Sequence, residues 1–295
     1  SYGQLGNQNV GYYDYIRKLS SGNQSYLFCG DKPTTATISS PVASNLSWET
    51  SIHNNLGVDM SFLNNRLAFS ADFYIRDTKD MLIPGKELPG VYGMASPNMN
   101  AGDLRTRGYE ITLGWQDSFS LCRKPFSYNV NFTLADSKAK ITKFDNPTNS
   151  LRTYIVGRDV GEIWGYHIEG LFRTDAEAAG RKVDQSFVNP NIYNEAGGAY
   201  RGLQAGYLIY ADLDDSGEVD YGDYTSDDPG DLRVIGNSRP RYHYSINAGF
   251  SWYGFDFSVF FQGIGRQHIY PGANNMLFWG PYARPYSSFI PTTFL

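Results

Sequence analysis

Between Trp48 and Phe62 the chain alternates with a period of two. The even positions Trp48, Thr50, Ile52, Asn54, Leu56, Val58, Met60 and Phe62 carry six apolar side chains of eight, while Glu49, Ser51, His53, Asn55, Gly57, Asp59 and Ser61 carry none of seven. Successive side chains on a strand point to opposite faces, so this spacing predicts a strand with one greasy and one polar face. At ~3.3 Å per residue it would run roughly 50 Å, several times the length of an ordinary globular strand. Leu63-Asn64-Asn65 reads as a tight turn, because Asn tolerates positive φ. The return run puts Leu67, Phe69, Ala71, Phe73 and Ile75 on one face and Arg66, Ser70, Asp72 and Arg76 on the other.

The same alternation recurs. Tyr109, Ile111, Leu113 and Trp115 lead through a turn at 117–125 into Phe126, Tyr128, Val130, Phe132 and Leu134. Tyr242, Tyr244, Ile246, Ala248, Phe250 and Trp252 lead through Tyr253-Gly254 into Phe255, Phe257, Val259 and Phe261. Long antiparallel strands are therefore expected over 48–62, 66–82, 104–116, 126–141, 241–252 and 255–263. Short turns close one end, and the long connections 83–103, 142–240 and 264–295 lie at the other. That asymmetry is typical of outer-membrane barrels, with short periplasmic turns and long extracellular loops. The expected fold is all-β: part of a transmembrane antiparallel β-barrel of about six to eight strands. Trp48, Leu56, Phe69, Ile111, Phe132, Ile246 and Phe257 should face lipid, and Glu49, Asp59, Asp72, Glu110 and His243 the lumen. A large soluble sandwich or propeller is the competing architecture, but those folds use shorter strands with more frequent turns.

Composition adjusts this picture only slightly. The chain has 295 residues, 16% aromatic, with a net charge of −5 and scattered Lys and Arg, so no nucleic-acid partner is indicated. Mean hydropathy is −0.42, and no apolar run reaches the ~18 residues of a spanning helix. Spanning strands escape that measure, because their alternating residues average out. Aromatic richness suits a barrel girdle and equally a carbohydrate-binding sandwich.

One segment has metal-ligand spacing. Asp212-Leu213-Asp214-Asp215-Ser216-Gly217-Glu218-Val219-Asp220-Tyr221-Gly222-Asp223 fits the EF-hand loop. Asp212, Asp214, Ser216, Asp220 and Asp223 supply side-chain oxygens, Glu218 a backbone carbonyl, and Gly217 the turn. Position 12 is Asp rather than Glu, which shortens that ligand's reach. Crowded carboxylates repel unless a cation neutralises them, and hard oxygen donors favour a structural Ca²⁺. The alternative reading is an acidic, solvated loop. Cys29 and Cys122 fall at opposite ends of the strands, beyond the Cα separation of at most ~7 Å that a disulfide needs. No catalytic constellation stands out: His53, His167, His243 and His268 are dispersed, and no nucleophile elbow or phosphate loop occurs. Enzyme activity is not expected, and no cofactor-binding residues are indicated.

Ser1-Tyr2-Gly3-Gln4-Leu5-Gly6-Asn7-Gln8-Asn9, and Trp48-Glu49-Thr50 with Asn55-Leu56-Gly57-Val58-Asp59, resemble the S-Y-G-x-x-G-N-Q-N segment and the W-E strand of the SusC/RagA family of TonB-dependent receptors. Tyr74, Thr78 and Leu82, then Gly108-Tyr109-Glu110, match two further strand signatures. The acidic loop at 212–223 with Ile235-Gly236-Asn237 and Pro240, and finally Phe260-Phe261-Gln262-Gly263, complete the family order. The resemblance implies a barrel of about 22 strands in the outer membrane, around a plug domain. It also implies coupling to TonB through that plug and a SusD-like lipoprotein partner. The cargo would be an oligosaccharide or peptide. A plug and TonB box are expected to lie outside this sequence, before Ser1, and the last barrel strands after Leu295. The whole of 1–295 is then barrel, with 142–240 as one long extracellular connection. From another class, a secreted β-rich, calcium-binding glycan-binding or adhesin module fits the same composition, and a β-rich hydrolase is a third reading.

Overall fold

The structure, a computed structural model, describes residues 1–7, 16–23, 25–38, 41–43, 46–85, 89–94, 96–188 and 202–270. Its main body is one seven-stranded antiparallel sheet. In spatial order the strands are β1 (Tyr2–Asn7), β4 (Glu49–Phe62), β5 (Leu67–Pro84), β6 (Asn98–Leu121), β7 (Lys124–Lys143), β12 (Arg241–Trp252) and β13 (Phe255–Arg266). Six of these are the strands that the alternation predicts. Several run further: β6 is 24 residues long and β7 is 20. The Tyr2–Asn7 strand carries no long alternation of its own and is held by pairing with Glu49–Asn54. β1 and β13 are the two edges, so the sheet is open among the described residues.

Below the irregularities at Thr78–Leu82 and Asp103-Leu104, the ladder registers keep one parity across the sheet. Met60, Phe69, Leu113, Phe132, Ile246 and Phe261 form one continuous cross-strand row, and Phe62, Leu67, Trp115, Val130, Ala248 and Val259 the next. Directly opposed residues share a face, so these rows form one apolar surface. Leu56, Phe257 and Phe261 on it are 69%, 54% and 60% exposed. The other face carries rows such as Asp59, Ser70, Thr112, Thr133, Ser245 and Gln262. Trp48 lies just before β4, 59% exposed, with its ring over Gly6 of the neighbouring strand.

Tight turns close one end of the sheet. Cys122-Arg123 and Tyr253-Gly254 are two-residue turns with both φ angles positive, the mirror-image turns whose twist suits a hairpin. Leu63, Asn64 and Asn65 also have positive φ. The expected turn at 117–125 is narrower than its Asp, Ser and Pro content implies, because pairing continues to Leu121↔Lys124. Pro125 is tolerated in β7 because it occupies the non-hydrogen-bonded pair with Ser120, and the β7–β12 ladder stops at Phe126↔Trp252. Its missing N–H therefore interrupts no ladder. Cys122 in this turn and Cys29, in the connection between β1 and β4, are free, exposed thiols.

At the other end the connections fold on themselves. β2 (Leu19–Asn23) pairs with β3 (Thr34–Ile38), β8 (Glu162–Tyr166) with β11 (Leu232–Asn237), and β9 (Ile168–Leu171) with β10 (Leu208–Tyr210). A short helix α1 (Asp175–Ala179) is N-capped by Thr174, whose side chain accepts from the Glu177 amide. The dry interior of the chain lies here rather than in the sheet. Phe172, Ala178, Ala211, Val219 and Leu232 are buried, and Gln185, Val219 and Asp231 are fully so.

Candidate functional site

Two places in the fold could carry function: the polar face of the sheet and the acidic loop above it. The polar face is concave. Near the tight turns Asn64, Gln116, Asn129, Asn131, Asn247 and Ser258 line a hollow of about 820 Å³. Nearer the loops Glu49 is buried, and its carboxylate accepts from Asn7 Nδ2 at 3.3 Å and from the Leu82 amide at 2.9 Å. Asp72 accepts from Asn55 Nδ2 at 3.1 Å, and the rings of His53 and Tyr74 meet edge to face at 5.6 Å. Gly108 is where this face needs a glycine: a Cβ there would stand 2.4 Å from Tyr74 Cζ, so the ring lies directly on the backbone. Asp59, Glu110 and His243 also lie on this side and are exposed.

The acidic loop is tethered at its base. Asp184 N donates to the Gly217 carbonyl at 2.8 Å, and Val219 N to the Asp184 carbonyl at 2.7 Å. Gly217 has φ +87 and open space where its Cβ would be, so conformation rather than crowding demands glycine. The Ser216 amide reaches Asp212 Oδ1 at 3.1 Å and Asp214 Oδ1 at 3.0 Å, and the Gly217 amide reaches Asp212 Oδ2 at 2.9 Å. Ser216 Oγ lies 2.9 Å from the Glu218 carbonyl oxygen. Asp212 and Asp214 come together, and a third carboxylate joins them: Asp231, with one oxygen of each residue within 4.8 Å of the others.

Asp220 and Asp223 are placed differently. The Asp220 side chain accepts from the Gly222 amide at 2.7 Å, closing its own turn, and the Asp223 amide donates to Asp228 Oδ2 at 3.3 Å. Asp231 takes amides from Leu213 at 2.6 Å and Asp220 at 2.9 Å, which leaves each oxygen a second lone pair. The loop pattern stops short of Asp231, although Pro229-Gly230 just before it is a turn signal that returns the chain to the loop. Hydrogen bonds from Ser216, its hydroxyl first and then its amide, hold the Asp214 carboxyl below the usual range. Tyr166, packed against Tyr210, is pushed up to about 12, first by burial and then by the charges of Asp220 and Asp231. Three hard carboxylate donors suit Ca²⁺ better than softer metals.

Of the loop aromatics, Tyr92 and Tyr154 are exposed, and the face of Trp164 carries the Arg158 guanidinium at 4.9 Å. Tyr193, Trp279 and Tyr282 lie outside the described residues. The Ile235-Gly236-Asn237 segment is tied down by His268, whose ring lies on Gly236 and whose amide donates to the Asn237 carbonyl at 3.1 Å.

A seven-stranded sheet of long strands, greasy and exposed on one side and polar on its concave side, is a segment of an outer-membrane β-barrel. Residues 2–264 match the family described as TonB dependent receptor-like, beta-barrel, and the chain belongs to that family. It is a SusC/RagA-like receptor barrel, located in the outer membrane. TonB-dependent receptor P3 of Formosa agariphila is 28% identical over 276 residues, which cover 89% of this chain and 25% of that protein. TonB-dependent receptor SusC of Bacteroides thetaiotaomicron is 25% identical over 75% of this chain and 21% of its own length. The solved RagAB peptide transporter superposes with a TM-score of 0.63 at 20% identity, covering 94% of this chain and 27% of that one. The chain thus spans about a quarter of the length of the relatives it matches.

Proposed function

We propose that this chain forms part of the channel wall of a TonB-dependent importer that takes up oligosaccharides or peptides across the outer membrane. The observation that carries this reading is the division of the sheet over the strands between the tight turns and the level of Leu56, Phe73 and Tyr109: an exposed apolar face against a concave face of amides, hydroxyls and carboxylates. A wall of that kind is suited to a wet or plugged lumen. The complete receptor would place a plug inside the barrel, draw energy through TonB, and work with a SusD-like lipoprotein over the loop end. Short turns would then face the periplasm, and the 142–240 connection the exterior. The names of its relatives support the class of cargo only broadly, since one is a SusC receptor and another a peptide transporter.

The acidic loop serves a structural role in this reading. Asp212, Asp214 and Asp231 would hold Ca²⁺, with Ser216 and the Glu218 carbonyl beside them, and Asp220 would reach it only by turning from the Gly222 amide. When bound, the ion would neutralise the clustered carboxylates and stiffen the connection that shapes the outer chamber or seats the lipoprotein. It would take no part in chemistry.

Growth of a strain lacking the full-length receptor on defined glycans and on defined peptides tests the transport reading. Loss of growth on one class, restored by the intact gene, is the expected result. Unimpaired growth on both classes would remove the support for import. In a background with Cys29→Ser and Cys122→Ser, which removes the two exposed native thiols, a cysteine introduced at Ser186 in the long connection should be labelled by a membrane-impermeant reagent on whole cells, whereas one replacing Asn64 should not.

A further inference from the structure

Like charges stand directly opposite each other at one place on the outer face. Arg105 is the register partner of Lys140, and Arg107 of Lys138. Partners in an antiparallel ladder hold their Cβ atoms ~5 Å apart, and successive residues on one face are ~7 Å apart along a strand. The four cations therefore form a grid of roughly 5 by 7 Å, on the same side of the sheet as Tyr109, Ile111 and Leu113. Like charges so placed are destabilising unless something neutralises them.

The neutralisation within the chain is partial. Arg105 pairs with Asp77 through Nε at 2.6 Å, and Lys138 with Asp159 at 2.6 Å, while Lys140 reaches Asp159 only at 3.9 Å. Among the described residues no carboxylate lies within ion-pair distance of Arg107, and its other ladder partner is Ile75. Lys79 is close enough to act on the Asp77 carboxylate and brings a fifth cation to the patch. Arg105, Lys138 and Lys140 keep side-chain exposures of 45%, 49% and 54%.

Position says what would cover it. The patch lies on the lipid-facing side, one step beyond the row Leu56, Phe73 and Tyr109, towards the long loops. A charged group there sits at the membrane surface, level with lipid headgroups rather than acyl chains. We propose that Arg105, Arg107, Lys138 and Lys140 form a binding site for the phosphate groups of a phosphorylated glycolipid in the outer leaflet. The apolar rows just below would take its acyl chains. This rests on the loop end facing outward, as proposed above.

Native mass spectrometry of the complete receptor in detergent, titrated with diphosphoryl lipid A, tests the site without depending on orientation. The whole-cell labelling at Ser186 and Asn64 tests orientation separately. The double substitution R107Q/K138Q should weaken lipid A binding roughly thirtyfold, at about fivefold per surface cation. R66Q/K124Q, at the tight-turn end, should leave binding unchanged and shows that the effect is local. Retention of the compact, heat-modifiable form on gels establishes that each variant is folded. Binding undiminished in folded R107Q/K138Q would overturn the proposal. So would equal affinity for the dephosphorylated lipid, or displacement by an equal concentration of inorganic phosphate, which would make the site one for soluble phosphate.

Discussion

Gly108 and Asp231 show how single residues act through what they lie against. Gly108 leaves room for the Tyr74 ring, and valine there would drive that ring away from His53. We expect Gly108→Val to destabilise the complete barrel by about 1–3 kcal/mol, as overpacking does, and urea unfolding of the folded receptor would measure it. Unchanged stability would mean that Tyr74 has another place to go. Asp231 closes the acidic loop by taking the Leu213 and Asp220 amides. Asp231→Ala should therefore release amide protection across 212–231 in hydrogen exchange, with the barrel strands unaffected. The Asp214 carboxyl is held below its ordinary range by Ser216, so its contribution is present at neutral pH and above the unfolded value. That contribution is lost as pH falls through the depressed value, and loop protection should fall with it. Protection that rises on acidification would contradict this sign.

At the scale of the strand, parity decides the cost of a charge. Leu113 lies in the middle of the apolar rows and Thr112 beside it on the concave face. Leu113→Arg should cost about 2–4 kcal/mol of folding stability in lipid, as Arg does at a bilayer midplane, whereas Thr112→Arg should change little. Folding titrations in vesicles would separate the two, and equal costs would refute the assignment of faces. The upper part of β7 shows how an element outlives its neighbour. Lys143 lies beyond the level where β12 begins to pair, and the 157–160 segment covers that edge. Ile141 N bonds to the Arg158 carbonyl at 3.1 Å, and Val160 N to the Ala139 carbonyl at 2.9 Å. An exposed strand edge is thus avoided by the connection itself.

For the whole molecule, the edges at β1 and β13 and the division of cores carry the consequences. The sheet has an outside built for lipid, while the packed interior sits in the 144–240 connection around Val219, Gln185 and Asp231. The isolated 295-residue segment should therefore associate in detergent-free buffer, through its apolar face and raw edges. Light scattering would show this, and a stable, dispersed monomer would argue for a self-sufficient soluble fold. Chelation of divalent cations from the intact receptor should loosen 205–231 and leave the strands protected. If exchange there is unchanged, the acidic loop needs no ion.

The long strands, their greasy side and the loop asymmetry were legible in the chain, because a period of two is a property of neighbours along the backbone and survives without knowledge of the partners. Asn and Gly likewise announced the turns at 63–65 and 253–254. What the tertiary structure alone decided depends on residues far apart in sequence. Tyr2–Asn7 is a strand only because Glu49–Asn54 lies beside it, and Pro125 is admitted to β7 only because the β12 ladder stops next to it. The acidic loop divides the same way. Its glycine turn and the pair Asp212 and Asp214 follow from local spacing, but Asp231 arrives across a fold of the chain, the Asp220 carboxylate accepts the nearer Gly222 amide, and Asp223 stands outside the cluster. A ligand set is a matter of distance in space, and a linear pattern specifies only the part of it that one turn of backbone can bring together.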